Sequence, residues 1–174
     1  TQTLSGLGRE CQANMGGLKK VYIAPFDDAN AVAVTSGAIS TYTAGGGASN
    51  YMAFNFRPGA ASMTSTSTID AASGTTAIAT QLVMNFGRME ATKRTEIQAL
   101  LQGQVQVIAV DNNGIAWLLG NENPVLAMGS QNGQTGQAMT DANQYTITLQ
   151  DNAGVLPLPF KDDTVYAGVI TEVS

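Results

Sequence analysis

Apolar and polar residues alternate along much of this chain with the two-residue period of a β-strand, and Gly, Pro, Asn and Asp interrupt the alternation at short intervals. Val21-Tyr22-Ile23, within Leu18 to Phe26, is β-branched and aromatic and is stopped by Pro25 and Asp27-Asp28. Ala31 to Ala44 alternates weakly and runs into Gly45-Gly46-Gly47. In the next stretch Met52, Phe54 and Phe56 fall to one side and Tyr51, Ala53 and Asn55 to the other, until Pro58-Gly59 ends it. Ser62 to Asp70 is Ser/Thr-rich, with Met63 and Ile69 as its large apolar members. Ala71-Ala72-Ser73-Gly74 then supplies a turn, and Thr75 to Phe86 returns with Ile78, Leu82, Val83, Met84 and Phe86. The pattern predicts a long antiparallel hairpin over residues 60–86.

One segment switches to the helical period. From Glu90 to Gln102, Ile97, Leu100 and Leu101 fall at i, i+3 and i+4, Lys93-Arg94 takes the wet side, and Gly103 stands at the C-terminal cap. Strand periodicity resumes at Gln104 to Val110, and Asp111-Asn112-Asn113-Gly114 links it to Ile115–Leu119. Asn-Gly between apolar runs predicts a type I′ hairpin turn. Residues 120–142 form a polar run interrupted by Val125-Leu126-Ala127-Met128, a loop by pattern. Asn143 to Gln150 alternates cleanly, Pro157 and Pro159 confine the next piece to an edge or bend, and Thr164 to Thr171 predicts a final strand.

These elements predict a mainly β fold: an antiparallel β-sandwich or barrel with one flanking α-helix, about 90–102, and a long hairpin, about 60–86. Thr1 to Gly17, small and Gly-punctuated, predicts an N-terminal arm, leaving 18–174 as one domain, within the usual size of a single core. Apolar residues make up 44% of the chain, enough for that core, and Trp117 and Phe86 are expected in it.

Composition then removes most chemistry. There is no histidine, one cysteine and 21 charged side chains, which excludes a His-dependent triad, a zinc site of ordinary ligand type and a histidine pH switch. Cys11 has no partner for an internal disulfide and is expected as a buried thiol. The three glycines at 45–47 lack the strand, spacing and helix of a phosphate cradle, and the Asp111 turn lacks the ligand spacing of a calcium loop. Adjacent acids at Asp27-Asp28 and Asp162-Asp163 adjoin turn sequence and imply no paired-carboxylate site. The expectation is a protein without catalytic residues, cofactor or metal, hence not an enzyme. No apolar run is long enough to span a bilayer and the first residues carry no leader pattern, so no membrane partner is expected.

The net charge of −5 argues against gripping nucleic acid. It is also unevenly placed: residues 1–100 hold seven basic side chains against six acidic, and residues 101–174 hold one against seven. Opposite charges on opposite subunit faces are one reading of that imbalance and chance is the other.

The succession of the Thr-rich hairpin, Asn85-Phe86-Gly87-Arg88-Met89, Thr92-Lys93-Arg94-Thr95-Glu96-Ile97, Asp111-Asn112-Asn113-Gly114, Trp117-Leu118-Leu119-Gly120, Thr135-Gly136 and Asp141-Ala142-Asn143-Gln144-Tyr145 resembles structural proteins of tailed bacteriophages, most of all the tail tube class. The resemblance spans about residues 50 to 150. It implies a β-barrel or sandwich with a flanking helix, copies of itself and other virion proteins as partners, and stacked, hexameric rings with DNA passing through the lumen without specific binding. It also implies a place in the virion after assembly in the host bacterial cytoplasm. The Gly-rich start of this chain departs from that class.

On this reading Ser62, Thr64, Thr66, Thr68, Asp70, Lys93 and Arg94 are the candidate inter-subunit contacts, and the inner wall of any ring is expected to be net negative. Ser/Thr-rich edges can pair with a neighbour without giving the monomer a greasy surface. Two other functions use the same fold: a capsid decoration or head-fibre protein, and a carbohydrate-binding sandwich module, for which one Trp and five Tyr scattered singly offer little platform.

Overall fold

Period-two patterning becomes two facing sheets. The computed structural model describes residues 14–45, 51–129 and 131–170. Most of the predicted N-terminal arm, Cys11 and two of the three consecutive glycines lie outside them. The strands are β1 (Leu18–Pro25), β2 (Ala31–Thr35), β3 (Ala38–Thr43), β4 (Met52–Asn55), β5 (Ala61–Asp70), β6 (Thr75–Gly87), β7 (Val105–Asp111), β8 (Ala116–Leu119), β9 (Leu126–Ala127), β10 (Asn132–Gln134), β11 (Gln144–Ala153) and β12 (Leu158–Pro159), with helices α1 (Ala91–Gln102) and α2 (Thr164–Ala167).

A central five-stranded sheet runs β12-β8-β7-β1-β4, a second sheet runs β10-β11-β6-β5 with β9 also on β11, and β2-β3 pair separately. Every pairing between these strands is antiparallel. The fold is therefore mainly β, a sandwich with a flanking helix, as the sequence pattern predicts.

The central sheet is covered on both faces, which explains why β1 and β7 read as nearly continuous apolar runs. Val21, Ile23, Val107 and Ala109 point toward the second sheet, where Leu82, Met84, Ile147 and Leu149 meet them, with Ile97 and Leu100 of α1 packed on the same cluster. Tyr22, Ala24 and Ile108 point the other way, into a second cluster with Ile39, Tyr42, Tyr51, Phe160 and Tyr166. The β2-β3 hairpin and α2 thus form a third layer. Gln106 of β7, 1% exposed, turns its side chain into that layer. Its Oε1 accepts from the hydroxyls of Tyr42 (3.0 Å) and Tyr51 (2.9 Å) and from the Asn30 amide, and its Nε2 donates to the Gly120 carbonyl at 3.2 Å. Burial raises the pKa of both tyrosines, most strongly at Tyr51, so both stay neutral donors.

Several expectations are corrected. Residues 164–167 form a short helix, not the predicted final strand: Asp162 Oδ1 captures the Thr164 N–H and hydroxyl, and Tyr166 packs on Phe160 at 5.0 Å between ring centres, so local capture and packing override β-propensity. Among the described residues, a single bridge from Ile170 to Tyr51 is the strand pairing that remains there.

The Asp111 turn is not type I′. Gly114 has a positive φ (86°) and Asn113 does not, and the Gly114 N–H donates to the Asp111 carbonyl, which makes a three-residue loop closed by a left-handed glycine. The type I′ turn lies instead at Ser36 (φ 55°) and Gly37 (φ 81°), between Thr35 and Ala38, in the stretch whose weak alternation hid a hairpin.

Gly103 caps α1 in an extended conformation (φ −94°), not the left-handed one, and Leu101 is 40% exposed, so Ile97 and Leu100 carry the helix's buried stripe. Residues 120–142 are not one loop: Val125 is fully buried and exchanges both main-chain bonds with Val105, and β9 and β10 follow. Met52 is 48% exposed, apart from Phe54 and Phe56, which pack on Phe86 at 5.7 and 5.4 Å between ring centres. Phe86 and Trp117 are half-buried at the margin of the core, where the Trp117 indole donates to Asp111 Oδ2 at 3.4 Å.

Candidate functional site

The predicted hairpin exists over Ala61–Gly87 and sets ten residues of β5 against β6 without a register shift, from Ala61 opposite Met84 to Asp70 opposite Thr75. β5 is the edge of its sheet, and no strand among the described residues pairs with its other side. The Asn85 N–H donates to the Ala60 carbonyl at 2.8 Å, one step before Ala61 in the same register. Bonding alternates along an antiparallel pair, so the main chain of residues 62, 64, 66, 68 and 70 faces β6. The N–H and C=O groups of Met63, Ser65, Ser67 and Ile69 therefore face outward along an open edge.

Among the described residues nothing blunts this edge. Natural edges are protected by Lys, Pro, a bulge or a covering segment, and β5 has no Lys, no Pro and no bulge. The opposite side of the sheet differs sharply. There β11 pairs with β9 at Leu149 and Gln150 and with β10 at Gln144 to Thr146. The gap between them is filled by the Gln131 amide, which accepts from the Thr148 N–H at 2.8 Å and donates to the Thr148 carbonyl at 3.2 Å. A side chain stands in for a peptide group, and that edge is satisfied within the chain.

The side chains of Ser62, Thr64, Thr66, Thr68 and Asp70 lie together on the outer face of the hairpin sheet, all of them exposed. Behind them on the same face come Ala77, Ala79, Gln81 and Val83 of β6, then Thr146, Thr148, Gln150 and Asn152 of β11. Gln81 donates to Gln150 at 3.0 Å and Thr146 to Asn85 at 2.8 Å. Across these strands Asp70, at the tip, carries the sole formal charge of that face. Its carboxylate accepts from the Ser73 hydroxyl and the Ala72 N–H, which hold its pKa below the usual carboxylate range.

β11 ends opposite Ile78, so the last three pairs of the hairpin and its turn project beyond the sheet. Ile69, 70% exposed, sits on that projection.

Lys93 and Arg94 do not join this group. They start α1, next to the end of β6 that lies farthest from the hairpin turn. Lys93 is half-buried and committed, donating to the Gly87 carbonyl at 2.7 Å and pairing with Glu90 at 3.1 Å, which ties the helix to β6. Arg94 is exposed beside the β10 end of the sheet. The predicted contact set is thus a hairpin face plus a separate helix start.

Composition points to the Ser/Thr side chains of β5 and misses the open main chain of Met63, Ser65, Ser67 and Ile69. Which parity faces outward depends on the turn at 71–74 and on β6 being interior, and neither is encoded within β5 itself. Among the described residues, no group of three or more His, Cys, Asp or Glu side chains is placed to hold a metal ion, and no helix is long and apolar enough to cross a membrane. Comparison with known proteins gives no match to a family model, to a curated protein or to a solved structure.

Proposed function

We propose that the protein is a structural subunit of a phage virion, whose activity is self-association into rings that stack as a tail tube. The observation that carries this reading is the open edge of β5, ten residues long and unprotected among the described residues, beside a sheet face whose one formal charge is Asp70 at the tip. An open edge of this kind is a template for another strand, and a second copy is the partner always present at matching concentration. Uncharged polar side chains cost less to desolvate than charged ones and can hydrogen-bond across a subunit boundary. A face with no Lys or Arg also suits a conduit, since it offers DNA no cation to neutralise its phosphates. The projecting hairpin, with Ile69 exposed, has the reach to contact the next ring.

Negative-stain electron microscopy of the purified protein over a rising concentration series tests this function. Rings or tubes are the expected result. Particles that stay solitary, or that bind only to capsids, would instead leave a decoration protein as the better account.

A further inference from the structure

At the end of the hairpin sheet away from the turn lies a concavity of about 760 Å³ in which Arg57, Arg88 and Lys93 converge with Asn55, Asn85 and Asn143. Three of the chain's eight basic side chains gather there, and no acidic side chain lines it. Lys93 is already committed to Gly87 and Glu90. The guanidinium groups of Arg57 and Arg88 are exposed and have no hydrogen bond or ion pair among the described residues. Arg88 stands in the left-handed backbone region (φ 63°), pinned there by its N–H to the Asn143 carbonyl at 2.7 Å. Two exposed, bidentate-capable cations lining one concavity have the chemistry to take a carboxylate or phosphate.

The same molecule carries a matching acidic feature on its other side. The central sheet runs β12-β8-β7-β1-β4, so Arg57 follows one edge strand and Lys161-Asp162-Asp163 follows the other. Their heights agree along the strands. The Phe56 N–H bonds to the Lys19 carbonyl, and the Phe160 N–H bonds to the Ala116 carbonyl, while Ala116 pairs with Val110 and Val110 with Lys20. Asp162 and Asp163 are exposed, and Asp163 makes no side-chain capping bond to α2. Copies placed edge to edge at one level bring the acidic turn of one to the basic concavity of the next. Such a contact is head-to-tail and repeats around a ring.

We propose that the Arg57/Arg88 concavity is a carboxylate socket for the Asp162-Asp163 turn of a second copy, setting the direction in which subunits join; this rests on the self-association reading above. Exposed ion pairs add little affinity, but they select partner and orientation and speed encounter.

Sedimentation velocity on the wild type, R57E/R88E and D162R/D163R, with circular dichroism to verify folding, tests it. R57E/R88E is expected to melt like the wild type and D162R/D163R somewhat lower, since Asp162 also holds Thr164 at the start of α2, and each is expected to dissociate about tenfold more readily. An equimolar mixture of the two restores assembly, because every boundary in an alternating ring is then complementary. R57E alone, at an ordinary backbone position, gives a smaller loss. The proposal is overturned if both reversed proteins assemble like the wild type, or if mixing restores nothing. It is also overturned if R57E/R88E abolishes inorganic phosphate binding while leaving assembly intact, which would assign the socket to a free anion. A wild type that never associates removes the underlying reading as well, whereas intact assembly of the reversed proteins removes the socket alone.

Discussion

Gln106 is where one residue organises a whole layer. Its amide is the meeting point for Tyr42, Tyr51, Asn30 and the Gly120 carbonyl, so it ties the β2-β3 hairpin and the start of β4 to the central sheet. Replacing it by Leu leaves several buried polar groups without their partner, and each such group costs about 1–3 kcal/mol. Gln106→Leu is therefore expected to lower unfolding free energy by about 3 kcal/mol in urea titrations; a loss below about 0.5 kcal/mol would contradict the hub.

Asp151 behaves differently. It is 5% exposed, its Oδ2 accepts from the Gly120 N–H at 3.1 Å, and its Oδ1 is buried without a partner among the described residues. Burial, with a smaller push from Glu122, raises its pKa above the ordinary 3.8. The folded state then binds the proton more tightly than the unfolded chain. The stability it contributes is fully present below the unfolded value near 3.8 and is lost as pH rises through the raised folded value. Asp151→Asn is expected to melt higher than the wild type at pH 7, with the advantage shrinking on acidification; an advantage that grows with acid would show the sign to be wrong.

At the scale of the element, β5 has two faces of consequence, and parity separates them. Ser67 turns its N–H outward, and Thr66 turns its N–H toward β6. Pro is tolerated where a strand's N–H faces solvent and is costly where that N–H is bonded. Ser67→Pro should therefore keep the monomer's melting temperature within a few degrees and abolish association, whereas Thr66→Pro should destabilise the hairpin itself. Paired thermal melts and light scattering decide this. Equal effects on stability would mean the alternation is assigned to the wrong residues.

The hairpin was legible in the sequence because Met63 to Ile69 and Ile78 to Phe86 flank an obvious small-residue turn. The β2-β3 hairpin was harder to see, since Ser36-Gly37 is a modest turn signal and its strands are mostly exposed. The helix at 164–167 was not legible at all. Val165, Tyr166, Val169 and Ile170 have strand propensity, and the aromatic contacts of Tyr166 that settle the matter are with Phe160 and Tyr22, the latter far away in sequence.

For the whole molecule, the hairpin sheet has one edge closed and, among the described residues, one open. Gln131, β9 and β10 finish the β11 side, and a long bare strand ends the other. Sequence composition favours assembly over chemistry as an expectation, since histidine is absent and the charge is sparse. It could not convey the grouping of Arg57 with Arg88, residues 31 apart in sequence, which depends on β4 and β6 ending at one place.

Amide hydrogen exchange resolved at Met63, Ser65, Ser67 and Ile69 tests the open edge most directly, comparing dilute protein with concentrated protein. Their N–H groups are predicted to exchange quickly in the dilute monomer and to become strongly protected at high concentration, while those of Thr64, Thr66 and Thr68 are protected in both. Fast exchange of the outward set at every concentration would contradict the account.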